Sequence, residues 1–369
     1  MADRGLHIGV DGRELVGRPT GVGRYIRQVL EAWTRDPTFP HRLTIFAPAP
    51  PADELKAALG PAVAWSVVAG RGGSTIWEQF HVPGVARSAG LDVFFAGAYT
   101  APYRLKCPIV LLVHDVSYFA HPEWFSAREG LRRRWLTRLS AAHARLVLTV
   151  SEFSAREITR YLGVPRARLL VTPGGAPTAR ADASTGRAGA MVLYVGSLFN
   201  RRMVPELIAG FARAAAEVPA ARLVLVGDNR TTPPIDPRSV AADLGVRDRV
   251  EWREYVTDAE LNTLYASARA FAFLSSYEGF ALTPLEAIAH GVPPVLLDTD
   301  VAHEVYDDAA IFVRPDTASI ASALTTLLRD DEIHASLVLR GQALLTRYSW
   351  TKTAAAIQQA LERAATGDV

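Results

Sequence analysis

A chain of 369 residues, nearly half of them apolar, is long for one hydrophobic core and predicts two domains. Its formal charge of +2 is close to balance, which argues against a dedicated nucleic-acid binder. The one cysteine, Cys107, rules out an internal disulfide and a cysteine-rich metal site; with no apolar run of membrane-span length and no signal-peptide region, a soluble cytoplasmic protein is expected.

Short β-branched runs alternate with helical patterns, the signature of parallel α/β units. The first half predicts strands over 6–10, 43–46, 63–68, 93–95, 109–113 and 146–150, with helices over 25–34 and 126–144. After the first strand comes Gly17-Arg18-Pro19-Thr20-Gly21-Val22-Gly23-Arg24-Tyr25. Its glycines permit a tight turn near a ligand, and the next helix offers its N-terminus. The spacing fits neither a dinucleotide-binding fingerprint nor a Walker A loop. His114-Asp115 directly follows the apolar run 109–113. A strand-end histidine beside an aspartate can touch a substrate hydroxyl or shuttle a proton, and a structural histidine is the alternative. Residues 124–145 read as basic and amphipathic, with Arg128, Arg132, Arg133, Arg134 and Arg138 beside Trp135, Leu136 and Leu139. A solvated outer helix and a helix touching an anionic membrane surface both fit.

From 173 to 189, Gly, Pro, Ala and Ser interrupt the pattern and read as a linker. The alternation resumes with strands over 191–195, 222–226, 250–252, 271–274 and 294–297, and helices over 205–217, 258–268, 284–290 and 320–329. Behind the first of these strands lies Gly196-Ser197-Leu198-Phe199-Asn200-Arg201-Arg202. Two adjacent arginines at a strand's carboxyl end suit a diphosphate, held by charge-assisted and often bidentate bonds; a solvated basic turn is the plainer reading.

The segment from Glu278 to Glu286 carries one carboxylate on a loop and another on a helix, with backbone amides between them. That suits a ligand with both hydroxyls and phosphates. Thr283 reads as the helix N-cap, Pro284 as the first helical residue and Glu286 as the partner in a capping box, which by itself needs no ligand. Glu278 stands outside the helix and has no capping duty. Asp298-Thr299-Asp300 resembles a carboxylate pair for a divalent ion, but its place after a buried strand favours ordinary loop polarity.

Together these motifs resemble glycosyltransferase family 4, the retaining transferases of GT-B fold. The resemblance is carried by Gly21-Val22-Gly23-Arg24-Tyr25, Trp77-Glu78-Gln79, His114-Asp115, Val150-Ser151-Glu152-Phe153-Ser154, Arg201-Arg202, Glu278-Gly279-Phe280 through Glu286-Ala287, and His303-Glu304-Val305 through Asp308-Ala309-Ala310. It implies an α/β chain of two doubly wound, Rossmann-like domains facing each other across a cleft. An acceptor-side domain over 1–176 and a linker over 177–189 would precede a nucleotide-sugar-binding domain over 190–345. A C-terminal helix within 346–369 would pack back on the first domain.

The same resemblance assigns roles. Arg201 and Arg202 would hold the donor diphosphate, with Glu278 on the hydroxyls of the transferred sugar; these three are the expected catalytic residues. Gly196, Gly279, Phe280, Ala281 and Leu282 would cradle sugar and phosphate, Glu286 the ribose, and the backbone of Tyr255 and Val256 the base. Gly21 and Gly23 would adjoin the donor, with Arg24, His114 and Asp115 on the acceptor side. Three positions depart from the family pattern: Arg202 stands for a usual lysine, Ala281 for a usual glycine and Thr283 for a usual proline. They bear on which sugar fits more than on the reaction.

The resemblance thus implies a metal-independent hexosyltransferase with no cofactor beyond its nucleotide-sugar cosubstrate. The early motifs lean toward GDP-mannose, with a UDP-sugar as runner-up, and a non-catalytic nucleotide-sugar-binding subunit or a sugar-nucleotide epimerase as further alternatives. A carbohydrate, a lipid-linked oligosaccharide or a small molecule would accept the sugar. No nucleic-acid partner is expected, and the basic helix near 126–145 would allow peripheral contact with the inner face of a membrane.

Overall fold

The computed structural model describes residues 5–17, 20–70, 73–177 and 189–367, so most of the expected linker over 177–189, and Arg18 and Pro19 of the glycine loop, lie outside the described residues. The chain forms two compact units, Met1–Gly175 with Trp350–Val369, and Ala176–Ser349.

The first unit is built on a seven-stranded parallel sheet. Its strands are β1 His7–Asp11, β2 Arg42–Ala47, β3 Val63–Val67, β4 Val93–Ala96, β5 Ile109–Leu112, β6 Leu146–Thr149 and β7 Leu169–Val171, in the order β3-β2-β1-β4-β5-β6-β7. Ile8 of β1 sits between Leu43 and Val93, so the order reverses beside β1. Such reversals open a crevice at the carboxyl ends of the strands. The helix Gly21–Arg35 begins earlier than its apolar periodicity suggests, because the Thr20 hydroxyl accepts from the Gly23 amide and caps it. Gly23 is a glycine for a packing reason: a Cβ there would lie 2.1 Å from the Glu14 carbonyl oxygen.

The closing helix Trp350–Thr366 belongs to this unit. The Trp33 indole donates to the Ala354 carbonyl at 2.9 Å, the Thr353 hydroxyl donates to the Pro173 carbonyl, and Ile357 and Leu361 are wholly buried. On the helix Ala127–His143, Leu136 and Ala141 face the core but Leu131 and Trp135 face solvent among the arginines. The one-sided amphipathic pattern expected for this helix is therefore corrected: apolar residues occupy both faces.

The second unit holds a six-stranded parallel sheet of β8 Met191–Val195, β9 Arg222–Val226, β10 Val250–Arg253, β11 Ala270–Phe273, β12 Pro294–Leu297 and β13 Ile311–Val313, in the order β10-β9-β8-β11-β12-β13. Here the order reverses between β9 and β11, on either side of β8. Helices Val204–Glu217 and Thr317–Arg329 pack closely, and Gly210 allows it: a Cβ would meet the Ile320 side chain at 2.3 Å. The two strands absent from the sequence reading, β7 and β13, have three residues each, too few to show alternation.

Candidate active site

The arginine turn leaves β8 at its carboxyl end and is fixed by glycine geometry. Gly196 (φ +150°) and Gly227 (φ +146°) press together, and a Cβ on Gly227 would stand 2.0 Å from the Gly196 carbonyl oxygen. The Arg202 guanidinium lies over Gly196, where a Cβ would approach Nη1 to 2.6 Å. Residues Asn200–Arg202 form one 3-10 turn, and Met203 (φ +48°) redirects the chain into the helix Val204–Glu217.

Arg202 is nearly enclosed. It donates from Nε to Glu278 Oε1 at 3.0 Å and from Nη1 to the Ser197 carbonyl at 2.9 Å, and its guanidinium lies 4.8 Å from the Phe273 ring centre. Burial opposes its charge, but Glu278 and the Tyr194 phenol outweigh that and raise its pKa. The reciprocal effect is visible at Tyr194, which burial pushes up to about 12 against the pull of Arg202. Arg201 stacks on Phe199 with 4.5 Å between guanidinium and ring centre, and its Nε is 3.8 Å from Glu278 Oε1. That Nε is buried and has no hydrogen-bond partner among the described residues. A buried unpaired donor on a cation costs free energy unless an acceptor reaches it, and an anionic oxygen is the natural one.

Glu278 follows β11 by five residues and serves as counter-ion to both arginines. Its Oε1 accepts from Arg202 and from the Ser275 hydroxyl at 2.9 Å. Oε2 has no hydrogen-bond partner among the described residues and remains an acceptor for a hydroxyl. Two guanidiniums and one carboxylate leave one net positive charge, which suits an anion.

The loop beyond Glu278 is held from behind. Ala281 adopts φ +63°, the left-handed region, which explains why a glycine suits this position better. The buried Tyr306 hydroxyl donates to the Phe280 and Ala281 carbonyls. Glu278, Phe280, Ala281 and Tyr306 share the wall of a small cavity of about 20 Å³. The expected capping box is corrected: Leu282 is the N-cap with no side-chain cap bond, and Thr283 is already the first residue of the helix Thr283–Ala289. The turn at Ala281 brings the chain into helical geometry one residue early. Glu286 instead accepts from the Tyr265 hydroxyl at 3.1 Å. Tyr255 and Val256 lie on the loop after β10, with the Tyr255 side chain exposed. Asp298 pairs with His303 at 2.7 Å and Thr299 caps the helix Asp300–Tyr306, which accounts for that polar segment.

In the first unit, His114 and Asp115 sit at the end of β5. The His114 ring meets Tyr25 edge-on at 5.3 Å and its Nε2 contacts the Gly97 carbonyl. Burial lowers its pKa, which favours the neutral ring. Asp115 accepts from the Tyr99 hydroxyl and the Ser117 amide, both at 2.8 Å. Gly21 opens the helix Gly21–Arg35 in open space, where a Cβ would meet no atom within 4 Å, and Arg24 is half-buried one turn on.

Several participants were not legible beforehand. Arg230 follows β9 and places its guanidinium 6.0 Å from the centre of the same Phe199 ring, so three arginines gather around one aromatic side chain. Its strand-end position was the available signal. In the first unit, Arg13 is buried between Asp11 (3.0 Å) and Glu78 (2.8 Å) and also bonds the carbonyls of Ala98 and Thr100. Trp77-Glu78-Gln79 is thus an interior network on a π-helical turn, with Gln79 donating to Glu78 and to the Ala101 carbonyl.

Two family models match the chain: Glycosyltransferase Family 4 over residues 19–180 and Glycosyl transferases group 1 over residues 189–330. Similar curated proteins include the O-antigen chain mannosyltransferase B of Escherichia coli, 27% identical over 70% of this chain and 71% of that protein. Another is the GDP-mannose:cellobiosyl-diphosphopolyprenol alpha-mannosyltransferase of Xanthomonas oryzae, 30% identical over 57% of this chain and about half (54%) of that protein. Among solved structures, Anabaena Alr3699/HepE in complex with UDP and glucose superposes with a TM-score of 0.76 at 19% identity, covering 97% of this chain and 99% of that one. WaaG, a glycosyltransferase involved in lipopolysaccharide biosynthesis, gives 0.74 at 15% identity over 96% and 99%. At such identities the structural likeness speaks for the fold, which is GT-B.

Proposed function

We propose that this chain, which belongs to the glycosyltransferases of family 4 and group 1, moves mannose from GDP-mannose to a hydroxyl on a lipid-linked or growing carbohydrate, with retention of configuration. The observation that carries the reading is the Arg201 Nε, buried and unpaired beside Arg202 at the carboxyl end of β8. A diphosphate oxygen supplies its missing acceptor. The names of the Escherichia coli and Xanthomonas relatives support mannose, and the polyprenol of the latter supports a lipid-linked acceptor.

In this reading the anomeric carbon–oxygen bond of the donor breaks and negative charge gathers on the departing diphosphate. Arg201 and Arg202 stabilise that charge in a site already organised around Glu278 and Phe199. The acceptor oxygen bonds to the anomeric carbon on the face just vacated, and its proton passes to a phosphate oxygen. Glu278 Oε2 takes a sugar hydroxyl. The guanidiniums fill the place that a divalent ion has in other transferases, so no metal is required.

Calorimetric titration with GDP and UDP, followed by incubation of GDP-mannose with acceptors and determination of the product's anomeric configuration, tests this. Tighter binding of GDP and an α-mannoside are expected. Tighter binding of UDP moves the donor to a UDP-sugar; binding without acceptor-dependent release of nucleoside diphosphate marks a non-catalytic subunit. No binding of either nucleotide overturns the reading.

A further inference from the structure

The loops that leave β8 and β9 are neighbours at the carboxyl end of the second sheet, and hydrogen bonds staple them together. The Leu198 amide donates to the Asp228 carbonyl at 2.8 Å and the Arg230 amide to the Leu198 carbonyl at 2.9 Å, which carries the parallel pairing of the strands into the loops. The Asn200 side chain then holds both backbone groups of Thr232, accepting from its amide at 2.8 Å and donating to its carbonyl at 3.0 Å. Asn229 braces the β9 loop from within: its Oδ1 accepts from the Thr231 amide and hydroxyl, and its Nδ2 donates to the Ile235 carbonyl. The backbone at Arg230 is therefore held in register with the arginine turn.

Its side chain is held far more weakly. Around the centre of the Phe199 ring stand the guanidiniums of Arg201 at 4.5 Å, Arg202 at 5.4 Å and Arg230 at 6.0 Å. Arg202 is engaged by Glu278 and the Ser197 carbonyl, and Arg201 keeps its buried Nε unpaired. Arg230, with 56% of its side chain exposed, pairs through Nε with Asp228 at 2.5 Å, itself 34% exposed. An exposed ion pair stabilises little, because water solvates both partners well. A nucleoside diphosphate brings more negative charge than Arg201, Arg202 and Glu278 leave uncancelled. An arginine fixed at its backbone and loosely held at its tip can change partners at small cost.

We propose that Arg230 is the third guanidinium on the donor. It leaves Asp228 for a phosphate oxygen of the nucleoside diphosphate when the nucleotide binds, so Asp228 competes for the arginine rather than serving as its permanent partner. The proposal rests on the donor-site reading above and deepens it, adding a binding residue that acts on the phosphates and is indifferent to the base.

Calorimetric titration with whichever of GDP and UDP the wild type binds more tightly is the test, so the outcome does not depend on the base. Arg230→Ala should weaken binding about tenfold, the loss for one charge-assisted hydrogen bond, and leave the melting temperature unchanged. Arg230→Lys should recover most of that loss, since a phosphate also accepts a point charge. Arg222→Ala removes the same charge at the exposed opposite end of β9 and should bind like wild type. Asp228→Asn should tighten binding about two- to fivefold, and by less when combined with Arg230→Ala. If the wild type binds neither nucleotide, the donor reading fails and this proposal with it. If the wild type binds but Arg230→Ala binds as tightly, Arg230→Lys recovers nothing, or Asp228→Asn gains equally in both backgrounds, the donor reading stands and the proposal is overturned.

Discussion

Arg201 and Arg202 are neighbours in sequence but not in physical situation. Arg202 neutralises a half-buried carboxylate, stacks on Phe273 and bonds a carbonyl, whereas Arg201 carries the unpaired Nε. Arg201→Ala should therefore lower turnover by about 10²–10³-fold, the usual loss for one charge-stabilising donor, with little change in melting temperature. Arg202→Ala should lower turnover at least as far but also destabilise by about 1.5–3 kcal/mol, because Glu278 loses its hydrogen-bonded counter-ion and keeps only the more distant Arg201 at 3.8 Å. Steady-state kinetics beside thermal melts separate the two; equal stability losses would show that the pair shares one role. The sequence placed both arginines on one turn but could not rank them, since burial is decided by Phe199 and Phe273 folding over them.

Asp11 offers a second test at this scale. Its Oδ2 lies 3.0 Å from Arg13 but out of hydrogen-bond alignment, and it is buried. Burial pushes its carboxyl up to about 6 against the pull of Arg13, with Glu78 adding to the rise. The folded state then holds a proton that the unfolded chain has released, so stability falls as pH rises from about 4 to 6 and stays lower above. Asp11→Asn keeps the oxygen that accepts from the Arg13 amide. It should be more stable than wild type by about 1–3 kcal/mol at pH 8, with the difference vanishing near pH 4. A less stable variant at pH 8 would mean that attraction to Arg13 dominates.

At the scale of elements, the loop between β11 and the helix Thr283–Ala289 depends on a third element. The helix Asp300–Tyr306 ends with a hydroxyl that ties down two successive carbonyls, Phe280 and Ala281. Tyr306→Phe removes that tie without changing the packing of the ring. It should cost about 1–3 kcal/mol for the unpaired carbonyls and raise the donor KM several-fold. Unchanged kinetics would show the loop to be held by its own backbone. Glu278 through Glu286 were recognisable because the segment is contiguous. Tyr306 lies inside the His303–Ala310 run, but its function arises from folding back over a stretch some 25 residues earlier, which no local pattern encodes. The capping box failed for a related reason: the left-handed turn at Ala281 moves the helix start by one residue, and a side-chain spacing rule cannot sense a backbone angle upstream.

At the scale of the whole chain, the alternation of β-branched runs and helical periods was enough to read two parallel α/β sheets, because fully buried strands are near-continuous apolar runs. What it could not give is the membership of the closing helix, which follows the second unit in sequence and packs in the first. That assignment rests on particular contacts: the Trp33 indole to Ala354, Tyr25 against Trp350 at 5.3 Å, His41 to Glu362 at 2.8 Å, and the buried Ile357 and Leu361. Each of the two aliphatic side chains contributes about 1.5–3 kcal/mol by burial, and a domain's net stability is only about 5–15 kcal/mol. A chain ended at Ser349 should therefore lose most of the stability of the first unit while the second keeps its own. Calorimetry should show one transition displaced or lost and the other in place, and GDP should still raise the temperature of the surviving one if the arginine turn holds the nucleotide. If instead both transitions fall together, the helix stabilises more than the sheet it covers, and the two units do not unfold independently.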